Sequence, residues 1–183
     1  LDFEEAVSVY AEVVKIGAAA GADLILIETM SDTYELKAAV LAAKENSDLP
    51  VVATVVFDES HKMLTGESPE VVVAMLEGLR VDALGMNCGL GPKQMKPIFE
   101  KMTKLSSLPL VITPNAGLPR TENGKTVYDV DPEEFAADVE ERLKQLEEEA
   151  RKKAEEEAKR REEEEEKQNE NRTFIWPTPG FTW

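Results

Sequence analysis

Ala83-Leu84-Gly85-Met86-Asn87-Cys88-Gly89 is an apolar run that ends on a polar tip, and it holds the only cysteine of the chain. A short, near-continuous apolar segment of this kind is expected for a strand buried on both faces of a parallel sheet. In parallel sheets, open or closed into a barrel, chemistry is built at the C-terminal ends of the strands. A lone cysteine is by default a small buried hydrophobe. Here Asn87 and Gly89 flank it, and a glycine lets a ligand approach the backbone, so Cys88 is a candidate metal ligand or nucleophile.

Three further runs have the same character: Leu24-Ile25-Leu26-Ile27, Val51-Val52-Ala53-Thr54-Val55-Val56-Phe57 and Leu110-Val111-Ile112-Thr113. The four strands begin at 24, 51, 83 and 110, a spacing of about thirty residues, which is one βα unit each. Helical segments lie between them. Glu4 to Ala19 carries Val7, Tyr10, Val13, Val14 and Ile16; Thr33 to Glu45 carries Leu36, Ala39, Val40 and Ala43; Pro92 to Leu105 carries Met95, Ile98, Phe99 and Met102. Ser68-Pro69-Glu70 reads as N-cap, first-turn proline and first-turn acid ahead of Val71 to Leu79. This order predicts an α/β architecture with right-handed crossovers. By pattern alone, four strands fit a small open sheet or half of a barrel.

The net charge of −16 argues against nucleic acid and anionic membranes as partners. No apolar run approaches the roughly 20 residues that span a bilayer, and no basic segment precedes Gly17-Ala18-Ala19-Ala20-Gly21 to make a signal peptide of it. One cysteine excludes an intramolecular disulfide and suits a reducing compartment, so a cytoplasmic location is expected. The first residue is leucine, as in a piece of a longer chain. Residues 1–130 hold 19 acidic and 11 basic side chains, residues 131–183 hold 18 and 10. The same excess of acid is thus packed into a much shorter segment, and two kinds of sequence meet near Asp131-Pro132.

At their C-terminal ends the strands carry Glu28-Thr29-Met30, Thr54 and Phe57-Asp58, Asn87-Cys88-Gly89, and Thr113-Pro114-Asn115-Ala116-Gly117. These tips are expected to converge on one face. Glu28 could cap the following helix, but Ser31 or Asp32 is better placed for that. A partly buried carboxylate directly after Leu-Ile-Leu-Ile requires a cation or donors, which favours a functional role. Taken together, Ile27-Glu28-Thr29-Met30 with Asp32 and Glu35, Gly85-Met86-Asn87-Cys88-Gly89, and Thr113-Pro114-Asn115-Ala116-Gly117-Leu118-Pro119 resemble the homocysteine S-methyltransferase family, most closely the homocysteine-binding barrel of its cobalamin-dependent members. The resemblance covers about residues 1–140 and corresponds to the fourth through seventh βα units of a (βα)8 TIM barrel.

The resemblance implies a parallel four-stranded segment of that barrel and transfer of a methyl group to homocysteine. It implies zinc, which in the family is bound by a cysteine ending the sixth strand and a Cys-Cys pair ending the eighth. It implies cobalamin only through a separate domain. Cys88 matches the first zinc ligand, and Glu28 matches the acid that binds the substrate's amino group. Glu28, Thr54 and Asn87 are the expected substrate-binding residues and Cys88 the expected metal ligand, with no catalytic residue assigned. Zinc held by thiolates deprotonates a coordinating thiol at neutral pH and leaves a position open for substrate. The sequence departs from the family in lacking the first three units and the Gly-Gly-Cys-Cys-Gly strand. His61, on the loop Asp58-Glu59-Ser60-His61-Lys62, is the nearest other ligand type and is expected to be solvated. A three-ligand zinc site is therefore not expected from one copy of the chain.

From Glu133 to about Asn169 there is no glycine or proline, and Glu, Lys, Arg, Ala and Leu dominate, which predicts a long charged α-helix. Glu147–Arg151, Glu148–Lys152, Glu149–Lys153, Glu155–Lys159, Glu156–Arg160 and Glu157–Arg161 are acid-first i,i+4 pairs. The apolar seam of Phe135, Val139, Leu143 and Leu146 gives way to Ala150, Ala154 and Ala158, too little for a stable coiled coil. The expected division is residues 1–140 as the partial barrel, 141–170 as the charged helix and 171–183 as an aromatic tail. That tail, Asn171 to Trp183, is read as a partner-binding peptide, a cover for bare surface, or a disordered or engineered extension. Two functions follow: a segment of a homocysteine methyltransferase, or a non-catalytic engineered or truncated half-barrel scaffold presenting the helix and tail. Open sheet edges are expected to drive self-association.

Overall fold

The structure, a computed structural model, describes residues 1–128 and 130–172. They form two compact units, Leu1–Ala136 and the chain from Ala137 onward. The first is α/β. Helix α1 (Phe3–Ala19) starts on a reciprocal cap in which Asp2 accepts from the Glu5 N–H at 2.8 Å and Glu5 accepts from the Asp2 N–H at 3.2 Å. Helix α2 (Thr33–Asn46) starts on Asp32, which accepts from the Glu35 N–H at 2.8 Å. The two helices pack through Val7, Ala11, Ala38 and Ala42, and the Tyr10 hydroxyl donates to Glu35 at 2.7 Å. Small residues at 38 and 42 let the helices approach closely.

Four parallel strands, β1 (Ile25–Met30), β2 (Val51–Val55), β3 (Ala83–Asn87) and β4 (Leu110–Thr113), pair in that order. This is a segment of a TIM-barrel-like fold, and β1 and β4 are its edges. Helices α3 (Pro69–Gly78) and α4 (Pro92–Leu105) complete the βα units. Ser68 stands at the N-cap of α3, but its side chain makes no cap bond.

Register and alternation sort the sheet residues onto two faces. Ile27, Ala53, Val55, Leu84 and Met86 share one face and are all buried. Leu26, Val52, Thr54, Ala83, Gly85 and Asn87 share the other, where Leu26 is 51% exposed. Two residues fix the sheet's register. Asp82 accepts from the Val51 N–H and from Lys44 Nζ, both at 2.8 Å, tying the start of β2 to that of β3. Gly85 permits β4 to approach, since a Cβ there would stand 1.8 Å from the Val111 carbonyl oxygen.

After β4 comes an element that the sequence reading does not anticipate, an antiparallel hairpin of β5 (Pro119–Glu122) and β6 (Lys125–Tyr128). Its turn is Asn123-Gly124, with φ of 51° and 74°. Asn-Gly is the strongest short-range hairpin signal because both central residues of a type I′ turn need positive φ.

Helix α5 runs from Pro132 to Arg172; Asp131 accepts from the Glu134 N–H at 2.8 Å at its start. Every side chain from Glu147 to Lys167 is exposed, and of the expected apolar seam Val139 and Leu143 are exposed as well. Two acid-first pairs close at 2.8 Å, Glu148–Lys152 and Glu157–Arg161. Arg151–Glu155 and Arg160–Glu164 pair in the opposite order, at 3.8 and 3.7 Å. No helix among the described residues is long and apolar enough to cross a membrane. The aromatic residues 173–183 lie outside the described residues.

Candidate functional site

The site is built where β1, β2 and β3 end. On β1, Ile27 pairs with Ala53 and Met30 with Val55, so Glu28 and Thr29 together stand opposite the single residue Thr54. That two-against-one count is a β-bulge, a device found next to active sites and uncommon in parallel pairs. Thr29 occupies the left-handed region, φ 62°, which a β-branched residue enters only under constraint. The bulge brings both Glu28 and Thr29 to the strand tip.

Asn87, at the end of β3, supplies the constraint. It is 4% exposed. Its Oδ1 accepts from the Thr29 N–H at 3.0 Å and from the Thr54 hydroxyl at 2.8 Å. Its Nδ2 donates to Thr29 Oγ1 at 2.6 Å and to Cys88 Sγ at 3.2 Å. Thr54, 2% exposed, is thereby satisfied as well.

Cys88 follows, half-buried, with φ 56°, and Gly89 with φ 72°. Two consecutive left-handed residues turn the chain sharply out of the strand. The Cys88 N–H donates to the Thr113 carbonyl at 3.0 Å and the Leu90 N–H to the Cys88 carbonyl at 2.8 Å. The Asn115 N–H donates to the Leu90 carbonyl at 2.9 Å. The loop after β4 is thus drawn against the loop after β3. Gly91 completes that contact, since a Cβ on it would lie 2.8 Å from Gly117 Cα.

Of the expected site residues, Thr54, Asn87 and Cys88 form one hydrogen-bonded cluster, and Thr29 joins them without having been singled out. Nothing in the amino-acid pattern marks Thr29, because its role arises from the bulge. Glu28 sits next to the cluster but is exposed rather than partly buried, and its carboxylate makes no side-chain bond to another described residue. Its strand, β1, is an edge of the sheet, and Leu26 two residues earlier is exposed as well. His61 is exposed with φ 60°. Asp58, beside it, is engaged by the Ser60 hydroxyl at 2.6 Å and the Lys62 N–H at 3.1 Å, and those bonds hold its carboxyl below the usual range. Among the described residues no three His, Cys, Asp or Glu side chains gather as a metal site.

Set against known proteins, residues 1–160 match the model of the family described as homocysteine S-methyltransferase. Methionine synthases from Mycobacterium leprae and Mycobacterium tuberculosis are each 35% identical to this chain over 121 residues, which is 63% of this chain and 10% of each of them. The homocysteine methyltransferase MmuM from Escherichia coli, in its apo form, superposes with a TM-score of 0.58 at 27% identity, over 64% of this chain and 44% of MmuM. Its oxidized form superposes with a TM-score of 0.54 at 28% identity, over 61% and 39%. The chain belongs to the homocysteine S-methyltransferase family. The match takes in about a tenth of the mycobacterial relatives and less than half of MmuM.

Proposed function

We propose that this chain supplies the homocysteine-holding side of a methyltransferase barrel, in which the homocysteine sulfur attacks an activated methyl group. The S–CH3 bond forms as the bond from the methyl to its donor breaks, and the donor departs with the electron pair. The observation that carries the reading is that the Asn87 side chain ties Cys88 to Thr29, the residue directly after the exposed Glu28, at the strand tips. Glu28 faces the substrate ammonium, Cys88 lies on the sulfur side, and Thr54 and Asn87 shape the ground between them. A free carboxylate next to an ammonium forms a charge-assisted bond of about 1.5–3 kcal/mol.

Zinc belongs to this reading through the family alone. Catalytic zinc takes three protein ligands and keeps a position open. The described residues offer Cys88 and gather no such set, so they do not fit zinc by themselves and no step is routed through it. Cobalamin would come only with a separate domain. A reducing cytoplasmic setting would keep the single cysteine as a thiol. The unpaired edges of β1 and β4 support self-association, as two halves closing one barrel.

A second reading, a half-barrel scaffold presenting its charged helix, is favoured by the uninterrupted exposure of Glu147 to Lys167. Homocysteine calorimetry on the chain and on its Glu28→Gln and Cys88→Ala variants separates the two. Binding weakened by both substitutions supports the methyltransferase reading; no binding, or binding indifferent to both, leaves the scaffold.

A further inference from the structure

Asn87 has a full complement of hydrogen bonds. A side-chain amide offers two lone pairs and two N–H hydrogens. Here both lone pairs are taken, by the Thr29 N–H and the Thr54 hydroxyl, and both hydrogens are given, to Thr29 Oγ1 and Cys88 Sγ. Nothing remains on Asn87 with which to bind a substrate. A residue spent in this way holds other residues in place.

What it holds is the bulge. The Thr29 N–H turns from the strand ladder to the Asn87 side chain, and Thr29 sits at φ 62°, a conformation that costs a β-branched residue energy and persists only where its surroundings over-determine it. The two bonds from Asn87 to the amide and hydroxyl of one residue are that over-determination. Released from them, Thr29 would favour the ordinary β region. The extra residue between Ile27 and Met30 would then have to be accommodated differently, and Glu28, the residue before it, would change direction. The same amide reaches Cys88, so the carboxylate side and the sulfur side of the site are fixed through one side chain.

We propose that Asn87 is a positioning residue that aims Glu28 at the substrate ammonium by locking Thr29 in the left-handed bulge, and that it makes no contact with substrate itself. This rests on the homocysteine reading for the identity of the ligand, but the lock can be tested without any ligand. A simple structural role would lower stability without altering which ligand features the site recognises. Action through Glu28 makes a narrower demand, since only recognition of the amino group should fall.

The test has two arms on the full chain. In the first, hydrogen exchange of the Thr29 amide is followed by NMR. The amide should be protected in the parent protein and exchange at least about tenfold faster in Asn87→Ala, the loss of one half-buried acceptor bond. An unchanged Thr29 amide in a folded Asn87→Ala variant overturns the proposal whatever the ligand. If Asn87→Ala does not fold, Thr54→Val, which removes one bond to Asn87 and leaves both of those to Thr29, serves instead; there the Thr29 amide should stay protected, and its release would overturn the proposal.

In the second arm, homocysteine and its des-amino analogue 4-sulfanylbutyrate are titrated. The parent chain should prefer homocysteine by roughly tenfold or more, the worth of a charge-assisted bond. Asn87→Ala should erase most of that preference and leave the analogue's affinity in place. Adding Thr29→Gly to Asn87→Ala should restore it, because glycine adopts positive φ without being held there. Equal weakening of both ligands, or no rescue by Thr29→Gly, overturns the proposal. A parent chain with no preference for homocysteine contradicts the homocysteine reading, and the exchange arm then still decides whether Asn87 locks the bulge.

Discussion

The α/β unit and the helix from Ala137 onward meet similar electrostatic loads with opposite means. Residues 1–130 hold 19 acidic and 11 basic groups and residues 131–183 hold 18 and 10, yet the first segment places its charges at singular points. Asp82 fastens the start of β2, Asp2 and Asp32 cap helices, and Glu77 accepts from the Ser107 N–H at 2.7 Å. In α5 the charges repeat along an exposed surface and pair with their neighbours one turn away. Apolar residues make the difference. Where they are present, tertiary packing sets each position and a polar group acquires one irreplaceable partner. Where they are missing, helix propensity and i,i+4 pairs carry the structure and any one charge is dispensable.

Substitution of Gly85 by alanine breaks the first region and spares the second. The new Cβ would lie 1.8 Å from a backbone oxygen that cannot move without unzipping β4. A cost above about 4 kcal/mol is expected, in the range reserved for named structural catastrophes. Near-UV dichroism and cooperative melting should vanish while much of the helical far-UV signal persists. A cooperative transition at the parent temperature would show that the β3–β4 contact is adjustable. Asn87→Ala is the next largest effect. It orphans the buried Thr54 hydroxyl and the half-buried Thr29 amide, and a loss of about 2–4 kcal/mol in urea-unfolding stability is expected.

The contrast between regions also governs what could be read from sequence. The four strands, the helices between them and the Asp32 cap were legible because apolar runs at βα spacing and capping residues are local signals. The hairpin was equally legible in principle, through Asn123-Gly124. The clustering of Thr54, Asn87 and Cys88 followed from their places at strand ends. The bulge at Glu28-Thr29 was not legible, because nothing in Ile-Glu-Thr-Met requires an extra residue, and its Thr29 amide bonds to Asn87, 58 positions further along the chain. Glu28 was expected to be partly buried because it follows Leu-Ile-Leu-Ile, and on the edge strand β1 it is exposed.

Each i,i+4 pair in α5 contributes about 0.2–0.5 kcal/mol, and at about 1 M salt the screening length falls to roughly 3 Å. A peptide of residues 146–169 should lose helicity gradually as salt rises, while the melting of the α/β unit changes little. Helicity indifferent to salt would assign the helix to intrinsic propensity alone. Among the exposed pairs, acid titration gives the smallest effect. Lys101, 2.5 Å from Glu70, holds its carboxyl down at about 2 against an ordinary 4.5. Lys44 likewise lowers Asp82. A depressed carboxylate contributes stability above its unfolded value, and loses it as pH falls through the folded one. The melting temperature of the α/β unit should therefore drop between about pH 4.5 and pH 2, and Glu70→Gln should flatten that drop. An identical profile in Glu70→Gln would show that the pair is too solvated to matter.

The proposed function places homocysteine at the tips of β1 to β3 and nowhere on the charged helix. Amide chemical shifts recorded during a homocysteine titration test it directly. Saturable shifts are expected at Thr29, Thr54, Asn87, Cys88 and Gly89, absent in Glu28→Gln, with the amides of residues 147–167 unmoved. Shifts confined to α5, or none at the strand tips at millimolar homocysteine, would contradict it.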